Sequence, residues 1–151
     1  MHIRRVTSHD ARQLAELLNE IIAIGGTTAI KDPKSRDDMV SWIESNKANS
    51  AWFLAENDKG EVLGFQKISP YHSLPDEACS IATFARVGKA QLGIGSALFE
   101  QTQKAARDLG FAWINATIKA ENSGGIAYYQ SRGFEPYKRD AERVSTRFNL
   151  R

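Results

Sequence analysis

Residues 77–109 constrain this chain more than any other stretch. They read as a strand (77–87), a turn holding Gly88 and Gly93, and a helix (93–109) whose buried side is marked by Ile94, Leu98, Ala105 and Leu109. A further strand, 111–118, follows the helix. A strand–helix–strand unit this short implies a local parallel pair and an α/β sheet. The first turn of a helix carries unpaired N–H groups and the positive end of the dipole. Gly93 and Gly95 carry no side chain, so an anion can come close to those amides, and pyrophosphate is the natural guest. A plainer alternative stays open, in which both glycines only permit a tight turn.

The rest of the chain supplies the other elements. Residues 2–6 form a short strand. Thr7 opens a helix, with Asp10 completing a box-like cap and Leu14, Leu17, Leu18, Ile21 and Ile22 at helical spacing. Gly25 and Gly26 end it. Ser35 caps a second helix carrying Met39, Val40 and Ile43. Strands 51–56 and 61–68 flank the turn Asn57-Asp58-Lys59-Gly60. Helix 122–132 stops at Gly133, and strands 134–138 and 143–150 close the chain. The order β-α-α-β-β-β-α-β-α-β-β predicts an α/β (α+β) fold. It has a mixed, mostly antiparallel central sheet flanked by about four helices, and one domain over residues 1–151.

Composition excludes several classes. A net charge of +2, with the basic residues scattered, offers no nucleic-acid surface. The single cysteine, Cys79, cannot form an internal disulfide, and its neighbours predict a buried small hydrophobe. His2, His9 and His72 lack metal-ligand spacing, so no metal is expected. No apolar run reaches the length of a membrane span, and Met1 leads into His-Ile-Arg-Arg-Val without a signal core; the expectation is a cytoplasmic protein.

Two nucleotide motifs compete for the glycine turn. In Gly93-Ile94-Gly95-Ser96-Ala97-Leu98 the third glycine of a dinucleotide fingerprint is Leu98, and no Gly-Lys-Ser/Thr follows to make a P-loop. The second informative segment is Asn122-Ser123-Gly124-Gly125-Ile126-Ala127-Tyr128-Tyr129-Gln130-Ser131-Arg132-Gly133-Phe134. Asn122 is a good N-cap, and Asn122, Gly125, Ile126 and Tyr129 share one helix face. By itself this segment is equally an ordinary helix with two core tyrosines.

Together the segments resemble the GNAT superfamily of acetyl-CoA-dependent N-acetyltransferases. The first resembles its R/Q-x-x-G-x-G/A motif, with Ala90 at the Arg/Gln place and Gln91 one residue late. The second resembles N-x-x-A/G-I-x-x-Y-x-x-x-G-F at every fixed place. The resemblance implies acetyl-CoA as co-substrate and no metal. Phe84, Ala85 and Arg86 would face pantetheine, and Gln91, Leu92, Gly93, Ile94, Gly95 and Ser96 would face phosphate, with Lys89 or Arg86 as nearby positive charge. Asn122, the cap of the last helix, would also bind the cofactor. Tyr129 would be the general acid that protonates the leaving thiolate, with Tyr128 as the alternative.

The base is open. Many relatives carry a glutamate in the strand before the turn, but Cys79-Ser80-Ile81-Ala82-Thr83 holds no carboxylate. Glu20, His72 and Glu77, beside Asp76, are the candidates. The acceptor would be a small-molecule amine, and Gly25-Gly26-Thr27-Thr28 vaguely resembles the phosphinothricin acetyltransferase-like branch. The alternating segment 143–150 suggests an edge strand, and many relatives dimerise in this region, so a homodimer is a further expectation. The alternative function is a non-catalytic acyl-CoA-binding sensor or assembly module; a dehydrogenase is disfavoured by Leu98.

Overall fold

Local chemistry sets the ends of the elements. The computed structural model describes residues 1–86, Gly88 and residues 93–151. A capping box joins Thr7 and Asp10 before a 3-10 turn, Ser8–Asp10, which leads into α1 (Ala11–Ile24). Arg4 locks this corner, reaching Asp10 at 2.8 Å and Glu56 at 3.2 Å. Ser35 caps α2 (Arg36–Glu44) by accepting from the Asp38 amide, while the Asp38 carboxylate accepts from the Ser35 amide. Asn122 caps α4 (Ser123–Ser131). The longest helix is α3 (Ile94–Asp108).

The strands are β1 (His2–Arg5), β2 (Ala51–Glu56), β3 (Val62–Ser69), β4 (Ala78–Ala85), β5 (Trp113–Lys119), β6 (Glu135–Arg139) and β7 (Arg143–Asn149). They form a seven-stranded sheet in the order β1-β2-β3-β4-β5-β7-β6. Every pairing is antiparallel except β4 with β5. The expected α/β fold, with its mostly antiparallel sheet and helices on both faces, is therefore the observed one.

One expectation fails. Segment 143–150 is not an edge, because β7 lies between β5 and β6. The tight β6–β7 hairpin puts β6 outside, where all of its residues are exposed and Pro136 is tolerated.

Each face of the sheet carries its own apolar layer. α1 and α2 bury Leu14, Leu17, Leu18 and Met39 against Trp52, Leu54, Phe65 and Phe84. On the other face α3 buries Ile94, Leu98 and Phe99 with Ile114, Ala116, Tyr129 and Phe134. Strand alternation sorts β4 and β5 between these layers. Cys79 and Ile81 face α3, whereas Phe84 faces α1. Cys79 is buried, and burial pushes its thiol up to about 12, so it packs as a small hydrophobe.

The feature that makes a site is a parting of strands. β4 pairs with β5 at Ala78↔Trp113, Cys79↔Ile114 and Ser80↔Asn115, and the ladder stops there. β4 continues paired to β3 through Ala85, and β5 continues paired to β7 through Lys119. A wedge-shaped gap thus opens between β4 and β5 toward the N-terminus of α3.

Candidate active site

The gap exposes backbone. The Arg86 amide donates to Leu63 O at 2.8 Å, so that residue's polar groups point toward β3. In an antiparallel pair successive residues point to opposite sides. The N–H and C=O groups of Ile81, Thr83 and Ala85 therefore point away from β3, into the gap. The Ile81 amide still belongs to the Ser80↔Asn115 bridge; beyond it the groups of Thr83 and Ala85 form a short strip with no strand partner among the described residues.

The N-terminus of α3 lies at the wide end. Gly93 is its N-cap, at φ +74°, a conformation that costs a side-chain-bearing residue about 1–2 kcal/mol. The first helical bond runs from the Ala97 amide to Gly93 O at 3.1 Å, and the amides before it have no acceptor among the described residues. No acidic residue in the first turn offsets the positive end of the dipole. Among the described residues nothing lies within 4 Å of where a Gly93 side chain would stand. Gly95 differs. A Cβ there would meet Tyr128 Cε1 at 2.5 Å, and the Tyr128 hydroxyl donates to Gly95 O at 2.7 Å. Its missing side chain makes room for a tyrosine ring.

Four side chains form a polar network beside the gap. Tyr129, on α4, is 7% exposed, and its phenolic oxygen lies 2.8 Å from Thr83 Oγ1 on β4. Gln66, on β3, is fully buried, and its amide nitrogen donates to Thr83 Oγ1 at 2.8 Å and to the Tyr128 hydroxyl at 3.2 Å. Burial pushes the Tyr129 phenol well above the ordinary tyrosine range, against the pull of Thr83. Burial also raises Tyr128, opposed by the bond from Gln66. Both phenols are therefore protonated at neutral pH, the state from which a general acid acts.

The remaining sequence candidates spread out. The Phe84 ring packs on Phe65, with centroids 4.8 Å apart, on the α1 face. Ala85 turns its backbone to the gap. Arg86 donates to Val62 O at 3.1 and 3.2 Å and pairs with Glu20 at 2.9 Å, so Arg86 and Glu20 occupy each other. Ile94 is core, and Ser96 is exposed on the first turn of α3. Gln91 and Leu92, with Lys89 and Ala90, lie outside the described residues. Asn122 accepts from the Gly125 amide at 2.9 Å and donates to Thr27 O at 3.1 Å, tying α4 to the loop after α1. His72 is an exposed loop residue whose ring lies tilted against Tyr71, and Glu77 is exposed ahead of β4.

The loop after His72 rims a cavity of about 360 Å³ on the sheet face opposite α3. Leu74, Asn115, Thr117, Tyr137, Lys138 and Ser145 are among its lining residues. Asn115 is the last β5 residue paired with β4, so the cavity reaches the point where the strands part.

Sequence reasoning missed Thr83 and Gln66. The signal available was a glutamine directly after the apolar run Val62-Leu63-Gly64-Phe65, and a threonine in the strand where many relatives carry a glutamate.

Residues 1–135 match the family model described as an acetyltransferase (GNAT) domain. This chain is a GNAT acetyltransferase. A phosphinothricin N-acetyltransferase of Streptomyces coelicolor is 26% identical to it over 141 residues, spanning 89% of this chain and 81% of that relative. An L-amino acid N-acyltransferase of Escherichia coli is 21% identical over 136 residues, spanning 89% and 79%. Among solved structures, a GNAT superfamily phosphinothricin acetyltransferase of Sinorhizobium meliloti in complex with AcCoA superposes with a TM-score of 0.90 at 20% identity, spanning 99% of this chain and 88% of that one. At that identity the structural likeness is one of fold.

Proposed function

We propose that this GNAT acetyltransferase moves the acetyl group of acetyl-CoA to a primary amine on a small molecule, an amino-acid analogue, by direct attack. The observation that carries this is the gap itself. An unpaired β4 edge, an open helix N-terminus and a buried phenol converge on it. The residues fit the co-substrate. Amides at Gly93 to Ser96 suit a pyrophosphate, and the Ile81–Ala85 edge suits the amide-bearing pantetheine arm, much as one strand suits another.

Acetyl-CoA, when bound, supplies an activated thioester carbonyl with a thiolate leaving group. The chain's residues do the rest. The Thr83 and Ala85 amides, which point into the gap, are the available donors to polarise the carbonyl oxygen. Tyr129 gives its phenolic proton to the departing sulfur. The polar cavity at Asn115, Thr117 and Lys138 admits the acceptor from the opposite face. Glu20 is held by Arg86 and β4 carries no carboxylate, so water takes the surplus proton of the attacking amine.

A thermal-shift screen of acetyl-CoA, CoA, NAD and ATP tests the cofactor. A shift with CoA compounds alone is expected; a shift with NAD or ATP alone defeats the proposal. Thiol release is then measured against phosphinothricin, the L-amino acids, a polyamine and an aminoglycoside. Turnover confined to the polyamine or the aminoglycoside would overturn the acceptor class.

A further inference from the structure

We infer that Thr83 is a positioning residue for the acid step, donating its hydroxyl proton to the Tyr129 phenolic oxygen so that the Tyr129 proton stays free for the leaving sulfur. This rests on Tyr129 being the general acid.

A proton count over the network carries the inference. Gln66 lies opposite Thr83 in the β3–β4 register, and its amide nitrogen bears two protons. Both are committed, to Thr83 Oγ1 at 2.8 Å and to Tyr128 Oη at 3.2 Å. Each hydroxyl, now an acceptor, sends its own proton onward. Tyr128 sends its proton to Gly95 O at 2.7 Å. Thr83 has Tyr129 Oη at 2.8 Å. Were Tyr129 the donor, Thr83 would accept twice and could send its own proton only toward Tyr128, whose oxygen already accepts from Gln66. The reverse setting of the Gln66 amide fares worse. As placed, Gln66 Oε1 is the one buried side-chain atom of the network left without a partner among the described residues. The reverse setting would leave an amide N–H₂ there instead, and an unpaired carbonyl is the more tolerable orphan. Donation therefore runs from Gln66 to Thr83 to Tyr129.

The consequence is chemical. As the amine nitrogen bonds to the acetyl carbon and the C–S bond breaks, the electron pair goes to sulfur. Tyr129 passes its proton to that sulfur. The charge left on the phenolic oxygen meets an O–H already aimed at it, and a hydrogen bond to a charged oxygen is about twice as strong as a neutral one. The surplus amine proton passes to water, and water reprotonates Tyr129, so the protons balance.

The deciding experiment needs no acceptor. Fluorotyrosine is placed at Tyr129 in the whole protein, which lowers the phenol's ionisation into a workable range, and the titration is followed by fluorine NMR with and without Thr83→Val. Losing a donor to the phenolate moves the ionisation to higher pH, the expected result. No move, or a move to lower pH, means that Thr83 gives the phenolate no stabilising proton, and either overturns the inference. Thr83→Ser should restore the original titration. A kinetic arm uses acetyl-CoA with phosphinothricin as the probe acceptor. Thr83→Val should lower kcat roughly ten- to a hundredfold, with CoA affinity by calorimetry within about twofold and activity rescued by Thr83→Ser. In a Tyr129→Phe background Thr83→Val should cost nothing further. If Tyr129→Phe alone leaves kcat unchanged while the titration still moves upward, the donation stands and the acid assignment is what fails.

Discussion

The Tyr128 ring occupies the space that a side chain on Gly95 would need. Its Cε1 stands 2.5 Å from the position of a Gly95 Cβ, and its hydroxyl closes on the carbonyl of the same glycine. α4 is thereby keyed to the first turn of α3. Gly95→Ala should push the ring aside, break that bond and destabilise the protein by about 1–3 kcal/mol in chemical denaturation. Made together with Tyr128→Ala, the same substitution should change sign, because alanine is the better helix former by up to about 1 kcal/mol.

Tyr129→Phe removes the proposed acid while keeping the ring in its cluster with Phe134, 5.1 Å away. We expect kcat to fall roughly 10²-fold or more, with acetyl-CoA affinity nearly unchanged. Melting temperature and turnover measured on one preparation separate this from a purely structural role, which would lower the melting point and preserve kcat per folded molecule.

Asn122→Ala should cost about 1 kcal/mol through loss of the helix cap. It also releases the loop at Thr27, so amide exchange there should speed up relative to the core strands. The bulkier-neighbour test is Gly125→Ala, whose Cβ would stand 2.6 Å from Asn122 Nδ2 and 3.1 Å from Ile118 Cγ2. That should cost more than a simple helix-position change.

Lys67 predicts a pH dependence. Its ammonium lies 4.8 Å from the Trp42 ring and 5.4 Å from the Trp52 ring, and donates to Ser69 Oγ at 3.0 Å. Burial lowers its pKa from 10.5 to about 8. Between those values the unfolded chain binds the proton and the folded chain does not, so stability rises with pH across that window. Below about 8 both states are charged and the burial penalty is constant. The two rings favour the cation and offset part of the penalty, so the rise should be on the order of 1 kcal/mol. It is read as the difference between wild type and Lys67→Met in denaturation midpoints at pH values on either side of the window.

The order of strands and helices was legible in the sequence because its signals are local. Thr7 with Asp10, Ser35 with Asp38, and Asn122 with Gly125 cap within one turn, and glycines at Gly25 and Gly133 stop helices wherever the chain goes next. Two glycine-marked segments also sufficed to point to the family. Tertiary structure decided what those segments touch. Tyr128 and Tyr129 are neighbours in sequence, yet one keys into Gly95 and the other reaches Thr83, because consecutive helix positions diverge by about 100° and meet different elements. The end of the β4–β5 ladder at Ser80, the pairing of Glu20 with Arg86, and the burial of Gln66 depend on strands and helices far apart in the chain. No local periodicity encodes such contacts. They arise only when the sheet closes and each polar group must find a partner or remain buried without one.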